Sequence, residues 1–519
     1  MVARDTQRRL SGAMCDLAIS GGATYRQVWR ICHGRRSARP LIRRCPPGRV
    51  LAGVLAALVA TAALTSGCGS SGQTTAPTDR LLSASDLPAG WSAVSANPAG
   101  VHSDAPCLSA LPASPKGWSY ATAGFVEGTS IPSLGELLAS GPQAHRAWQN
   151  LGRALARCHT ATITIAGSKA RVTIQPLTLQ GVTGSSSAYA WSFTFEGVQI
   201  GEDIVLFQAG VYTGYLTYSD LGPPAAATVK AFLGAAVTKA KTGTATPVPG
   251  TVSIASAPVQ TADTELGTVA YRAVGSGPPL LLITGYAGTM EDWDRRFVDT
   301  LAQHYHVVIF DNAGVGRTRA LPGPLTIDAM ASQTSALITA LGIKQPDVLG
   351  WSMGSMIAQA LAVLHPSQVH RLILCASYPG NGTTVRPPQT AVSALTSSNQ
   401  QAALDALFPA SQTAAQRTFV AAISAYPSSP AAPVGTVTAQ GRAIDAWWAG
   451  HDPAGRQAAV ISAPTLIADG TADPLDPLAN SHALASLIPR ANLTLYPDAG
   501  HAFLFQDQTA FISLIESWL

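Results

Sequence analysis

Charge is scarce in this sequence: Asp, Glu, Lys and Arg together make up 12% of its 519 residues, while 47% are hydrophobic. That balance excludes a coiled coil, which carries charge along its flanks, and a disordered chain, which has too little apolar surface to bury. A Walker loop and a dinucleotide fingerprint are also missing, because GVGRTR at 314–319 has the spacing of neither. No His/Cys cluster stands at zinc spacing. Neither a cofactor nor a metal is therefore expected. Basic residues are nowhere interleaved with aromatics beyond the N-terminus, so nucleic-acid binding has no footing. No repeat of about 20–50 residues is visible, which removes solenoids and propellers.

What charge there is lies unevenly. Residues 1–49 hold eleven Arg, no Lys and only Asp5 and Asp16 as acids, a local balance of +9 against +4 for the whole chain. The remaining 470 residues thus carry −5, and the basic character belongs to the N-terminus alone. Val50 to Thr65 follows as an uncharged apolar run that exits into Ser66, Gly67, Cys68, Gly69, Ser70 and Ser71. A charged stretch, an apolar core and a small-residue exit make a secretory signal. At 16 residues the run is short for a bilayer span, which needs about 20. LTSGC, ending at Cys68, resembles a bacterial lipobox, although Thr65 stands where an aliphatic residue is usual. The resemblance implies an exported protein held at the outer face of the cell membrane by lipid on Cys68. A cleaved soluble form and an uncleaved signal anchor are the alternatives. The expected layout is an unstructured 1–49, a signal over 50–68, and a Gly/Ser/Thr/Pro linker over 69–79.

Two bodies follow. Residues 80–245 mix strand text (VTIQPLTL; AYAWSFTF and its continuation to YLTYS) with helical text (SLGELLASGPQAHRAWQNLGRALARC; AATVKAFLGAAVTKAK), which predicts a small α+β domain closed by KTGTATPVPG. In an oxidising exterior Cys107 and Cys158 are a candidate disulfide, against two unpaired buried thiols, and Cys375 in VHRLILCAS is a buried strand residue. From 251 to 519 strands alternate with helices. TVSIASAPV and GTVAYRAV read as an opening pair; LLLITG, HVVIFD, DVLG, VHRLILCAS, APTLIADG and ANLTLYPDAG read as buried strands with helices between them. The prediction is a doubly wound, mostly parallel sheet.

Within that body Gly350-Trp351-Ser352-Met353-Gly354 has the form G-x-S-x-G. Roughly 0.4 such matches arise by chance in a chain of this length, so the weight lies in the context. DVLG ends a strand and SMIAQALAV begins a helix, which places Ser352 at the sharp turn between them. Here the whole of 251–519 resembles the α/β-hydrolase superfamily, whose chain order is Ser, then an acid, then His. The resemblance implies Asp473, in GTADPLDP, as the acid and His501, in DAGHAFLFQ, as the base, with Asp476 as a second candidate acid. It further implies an oxyanion hole made by the backbone N–H groups of Met353 and Tyr286. Tyr286 lies in TGYAG, where Thr284 stands in place of the usual His. FDNAGVGRTR resembles another family segment, with Asn312 and Ala313 replacing usual residues and Asp311 in a structural role. His482 and His451 read as solvated.

Between about 380 and 455 the sheet pattern lapses into Ala/Gln/Ser-rich helical text, where the family inserts a helical cap. Trp447, Trp448, Phe408 and Phe419 are expected either to line an apolar lid or to pack the cap, and Trp351 and Trp293 either to line the pocket or to fill the core. A Ser nucleophile predicts hydrolysis of a small apolar carboxylic ester or lipid through an acyl-enzyme, as in a carboxylesterase or lipase. Cofactor-free haloperoxidase-like perhydrolysis uses the same groups. A third reading is a ligand-binding or sensor-type lipoprotein with a vestigial hydrolase half, since LLSASDLPAGWS and the paired cysteines resemble small extracytoplasmic domains of actinobacterial lipoproteins.

Overall fold

The computed structural model describes residues 77–519 except 89, 95–100, 104–118, 128–130, 142, 166–167, 180–185, 196, 249–252, 398 and 428. The signal-like run and Cys68 lie outside the described residues, as does Cys107; Cys158 is disulfide-bonded. Among the described residues no helix is long and apolar enough to cross a membrane.

The first body is a nine-stranded antiparallel sheet of β1 (Trp91–Val94), β2 (Val101–Ser103), β3 (Ser119–Glu127), β4 (Ser133–Ser140), β5 (Thr160–Ile165), β6 (Ser168–Leu177), β7 (Ser187–Phe195), β8 (Val198–Ala209) and β9 (Tyr212–Leu221). Its spatial order is β1-β3-β4-β9-β8-β7-β6-β5-β2. Helix α1 (Ala144–Leu155) packs on the face carrying Leu137, Tyr189, Leu206 and Tyr215. Helix α2 (Ala226–Thr242) covers the opposite face through Val229, Phe232 and Leu233, against Leu134, Val205 and Leu216. One expectation is corrected here: SLGELLAS is β4, not the start of a helix. It pairs along its length with β3 and β9 and sends Leu134 and Leu138 to one core, Leu137 and Ala139 to the other. A strand buried on both faces presents a continuous apolar run, which periodicity alone cannot tell from a helix.

The second body is an eight-stranded sheet of β10 (Gln260–Thr264), β11 (Gly267–Val274), β12 (Pro279–Ile283), β13 (His306–Phe310), β14 (Asp347–Trp351), β15 (Leu372–Cys375), β16 (Thr465–Gly470) and β17 (Ala491–Tyr496). The order is β10-β11-β13-β12-β14-β15-β16-β17; the first two pairings are antiparallel and the rest parallel. The opening pair starts at Gln260, and the described part of TVSIASAPV, 253–259, is not a strand. Its polar backbone is claimed by side chains instead: Ser253 N–H donates to Glu127 Oε1 at 3.3 Å, Ile254 N–H to Asp299 Oδ1 at 2.7 Å, and the Arg272 guanidinium donates to the Ala257 carbonyl. Helices α3 (Arg295–Leu301), α4 (Ile327–Ala340) and α5 (Met353–Leu364) alternate with the strands. Between β15 and β16 the cap contributes α6 (Gln389–Leu395), α7 (Gln400–Leu407), α8 (Thr413–Ile423) and α9 (Val434–Trp448). Then α10 (Ala479–Leu487), α11 (Phe503–Gln506) and α12 (Gln508–Trp518) complete the wound layers.

The two bodies share a core through the cap. Ala422 of α8 is fully buried in the cluster of Phe193, Val198 and Ile200 from the first sheet, while Phe419 of the same helix stacks on Phe505 at 5.0 Å in the second body. The buried Arg295 of α3 donates to Asp220 Oδ1 at the end of β9 at 2.5 Å. An Ala422→Asp change would bury an unpaired carboxylate in this contact at a cost of about 2–3 kcal/mol. The expected result is a lowered thermal midpoint, with Ala422→Ser close to the parent. Equal midpoints for the Asp and Ser variants would mean that α8 does not hold the two bodies together.

Candidate active site

Ser352 caps α5 with φ 59° and ψ −123°, a conformation that L-residues rarely adopt and that a strand-to-helix turn imposes. The turn closes only without side chains at its flanks. A Cβ on Gly350 would overlap the Gly354 carbonyl, and one on Gly354 the Ile283 carbonyl of the adjacent strand. Ser352 N–H donates to the Cys375 carbonyl at 2.9 Å, and its own carbonyl accepts from Ser355 N–H at 2.9 Å. The backbone is therefore locked while the residue itself stays half-buried, open to a reactant at the positive end of α5. Cys375, which supplies that carbonyl, is a free thiol buried in β15.

His501 and Asp473 meet from the loops after β17 and β16: His501 Nδ1 lies 2.7 Å from Asp473 Oδ2. Both side chains are essentially buried, at 2% and 0%. The other carboxylate oxygen, Oδ1, accepts from the backbone N–H groups of Leu475 at 2.7 Å and Asp476 at 2.9 Å. An ionised carboxylate only accepts, so Nδ1 carries the proton and Nε2 keeps its lone pair. Trp351 ties this pair to the nucleophile turn: its indole N–H donates to the His501 carbonyl at 3.0 Å, with its ring 5.9 Å from the imidazole.

Asp476 does not reach the histidine. Its Oδ1 accepts from Asn480 Nδ2 at 2.9 Å, and burial, followed by the charges of Asp469 and Asp473, pushes its carboxyl well above the usual carboxylate range. Asp469 is raised likewise, by burial and then by Asp473. Asp311 is structural: Oδ1 accepts from Met290 N–H and Oδ2 from Arg317 N–H, each at 2.9 Å. His482 and His451 are exposed.

The loop after β12 lies on Ser352. A Cβ on Gly285 would sit 3.2 Å from Ser352 Cβ and 3.7 Å from Oγ, so the peptide leading to Tyr286 borders the serine hydroxyl. Met353 opens α5 on the other side. Asn312 Nδ2 holds the Thr284 carbonyl at 3.0 Å, which gives the departure from the family segment a use. From above, Gln440 of α9 accepts from Ala287 N–H at 2.8 Å. Sequence reasoning missed Gln440 and had no signal for it, because one Gln in an Ala/Gln-rich helix carries no spacing.

The tryptophans divide. Trp293 and Trp447 are fully buried and Trp351 nearly so. Trp293 stacks on Phe297 at 6.1 Å, Trp351 meets Phe505 edge-on at 5.2 Å, and the Trp447 indole donates to the Tyr378 carbonyl at 3.1 Å. These three fill the core rather than a pocket, because large rings seal the junction of cap and sheet. Phe408 and Phe419 do the same, 5.5 Å apart. Trp448, the fourth candidate, is half-buried, with the Arg386 guanidinium 5.6 Å over its ring.

Residues 278–508 match the family described as alpha/beta hydrolase fold. A Pseudomonas syringae protein named as a carbamate hydrolase is 27% identical over 248 residues, 47% of this chain and 93% of its own. A Mycobacterium tuberculosis protein named as a non-heme bromoperoxidase is 38% identical over 110 residues, 21% of this chain and 42% of its own length. Among solved structures, an alpha/beta hydrolase fold protein from Chitinophaga pinensis is 26% identical and covers 51% of this chain and 98% of its own, with a TM-score of 0.46.

Proposed function

We propose, for a chain whose C-terminal half belongs to the α/β-hydrolase superfamily, hydrolysis of a carboxylic ester through an acyl-enzyme on Ser352. The observation that carries this reading is the buried 2.7 Å contact between His501 and Asp473, beside a nucleophile turn whose backbone is locked. In the proposed cycle His501 Nε2 takes the Ser352 proton during attack and returns it to the leaving alcohol. Asp473 holds the tautomer and stabilises the transient imidazolium. The N–H groups of Met353 and Tyr286 bind the developing oxyanion. Water then repeats the attack on the acyl-enzyme.

The substrate class is a small, apolar ester or lipid, which the half-buried Trp448 and the apolar cap support. The basic start, the uncharged run Val50 to Thr65 and Cys68 support export and a lipid anchor at the membrane's outer face. A second reading, perhydrolysis with hydrogen peroxide, is favoured by the relative named as a bromoperoxidase and needs the same triad.

Intact-mass measurement after fluorophosphonate treatment of the full chain tests the mechanism. One adduct on the parent, absent from Ser352→Ala and His501→Ala, is the expected result. A folded parent that takes no adduct would sink the acyl-enzyme.

A further inference from the structure

We infer that Gln440 is a latch that couples seating of the cap helix α9 to assembly of the oxyanion hole; this rests on the acyl-enzyme reading above. Among the described residues the cap meets the oxyanion loop through the hydrogen bond from Ala287 N–H to Gln440 Oε1, at 2.8 Å. That bond fixes the peptide joining Tyr286 to Ala287, and so fixes the residue whose N–H faces the reacting carbonyl. Tyr286 lies beneath the same helix, its hydroxyl 3.8 Å from where a Cβ on Gly441 would be.

Three features mark the seated state as one held under load. Ala287 has φ 57°, a left-handed conformation that is unfavourable for an L-residue. Gln440 is fully buried, yet its Nε2 has no hydrogen-bond partner, and a buried donor left unpaired is destabilising. The amide cannot be turned to relieve this, because Ala287 N–H needs an acceptor and only Oε1 is one. The Trp448 indole N–H on the same helix is buried without a partner as well. Lifting α9 would give water to all of these groups, whereas seating it gives the loop its shape.

The helix is built for such movement. Gln440, Ala443 and Trp447 form its buried stripe, at spacings of three and four residues. Trp447 anchors the C-terminal end through the Tyr378 carbonyl, while Val434 at the other end is 83% exposed after a segment containing Pro427, Pro430 and Pro433. By contrast α8, the preceding cap helix, is fixed in the core of the first body through Ala422. Closure then belongs to α9 alone: with substrate in place α9 seats, Gln440 takes the Ala287 N–H, and the hole forms. Gln440 touches no reacting atom and is a positioning residue.

Steady-state hydrolysis of p-nitrophenyl butyrate by the full chain, with fluorophosphonate labelling rates and thermal midpoints alongside, tests the latch. Gln440→Met keeps the volume and removes the acceptor; Gln440→Glu keeps an acceptor oxygen at the same reach. Displacing a catalytic donor by an ångström costs up to about 100-fold, so Gln440→Met should lower kcat by about 10- to 100-fold. KM should stay within about threefold, the pattern of an interaction made in the transition state. The Met midpoint should stay close to the parent's, because loss of the unpaired amide donor offsets the Ala287 N–H left without its acceptor. Gln440→Glu should recover most of kcat. A Met variant with parental kcat, or Met and Glu variants that lose kcat and midpoint together, would overturn the latch while leaving the acyl-enzyme intact. A parent that neither labels nor turns over would overturn the acyl-enzyme reading, and the latch with it.

Discussion

Asp473→Asn should lower kcat by about 10⁴-fold while leaving KM nearly unchanged, and the reason lies in which oxygen does what. Oδ1 accepts two backbone N–H bonds, from Leu475 and Asp476, whereas Oδ2 faces His501 Nδ1. An asparagine must keep its single oxygen at the Oδ1 position to satisfy those two buried donors. Its NH₂ is then turned towards the imidazole, where it needs Nδ1 as an acceptor. The ring responds by carrying its proton on Nε2, the atom that must receive the Ser352 proton. The side chain is isosteric and the pocket unaltered, so substrate binding survives and the chemical step fails. Asp476→Asn is the matched control. That carboxyl is already pushed towards its neutral form by burial and bonds Asn480 rather than the histidine, so kcat should change by less than about threefold. Burst and steady-state measurements on a short p-nitrophenyl ester separate the two. Comparable losses in both variants would mean that the acidic cluster acts as a unit and that Asp473 has no private role.

The turn at Ser352 and the contact between Asp473 and His501 were legible because their signals are local and ordered. A Ser flanked by two Gly at a strand-to-helix change, and an acid and a His each after a strand, survive translation from sequence to space without knowledge of packing. The alternation of strand and helix text fixed the second sheet in the same way, apart from its edge. There the opening strand slipped by about nine residues, because carboxylates from distant positions, Glu127 and Asp299, claim the backbone of Ser253 and Ile254. SLGELLAS was misread for a related reason: a strand buried on both faces loses the alternation that identifies strands. Whether a tryptophan lines a pocket or seals a core depends on how the cap lies on the sheet, which no spacing encodes. Gln440 is the extreme case, a residue whose use is defined only by the loop 153 positions earlier that it touches.

Glu202→Gln should flatten the pH dependence of stability, and by an amount large enough to dominate it. Glu202 lies mid-strand in β8, opposite Trp191 on one side and Ser219 on the other, and is 4% exposed. Burial first, and then the charge of Asp203, raise its carboxyl from 4.5 to about 8, with the Ser219 hydroxyl pulling the other way. The folded state thus retains a proton that the unfolded chain releases above pH 4.5. Its contribution is fully present below pH 4.5 and is lost as pH rises towards 8, at about 1.4 kcal/mol per pH unit, or about 4–5 kcal/mol across the window. Glutamine fills the same volume and does not titrate, so the variant should match the parent near pH 4.5 and exceed it by several kcal/mol at pH 8.5. Asp203, raised to about 6 by burial, and Glu136, raised to about 7 mainly by burial, have the same sign and will leave a smaller residual slope in the variant. Urea unfolding followed by tryptophan fluorescence between pH 5 and 9 reads the difference directly. Parallel curves for parent and variant would show that Glu202 is ionised and hydrated in the native sheet. Because that sheet carries α8 of the cap, a parent weakened at high pH should also lose hydrolase activity there before the variant does.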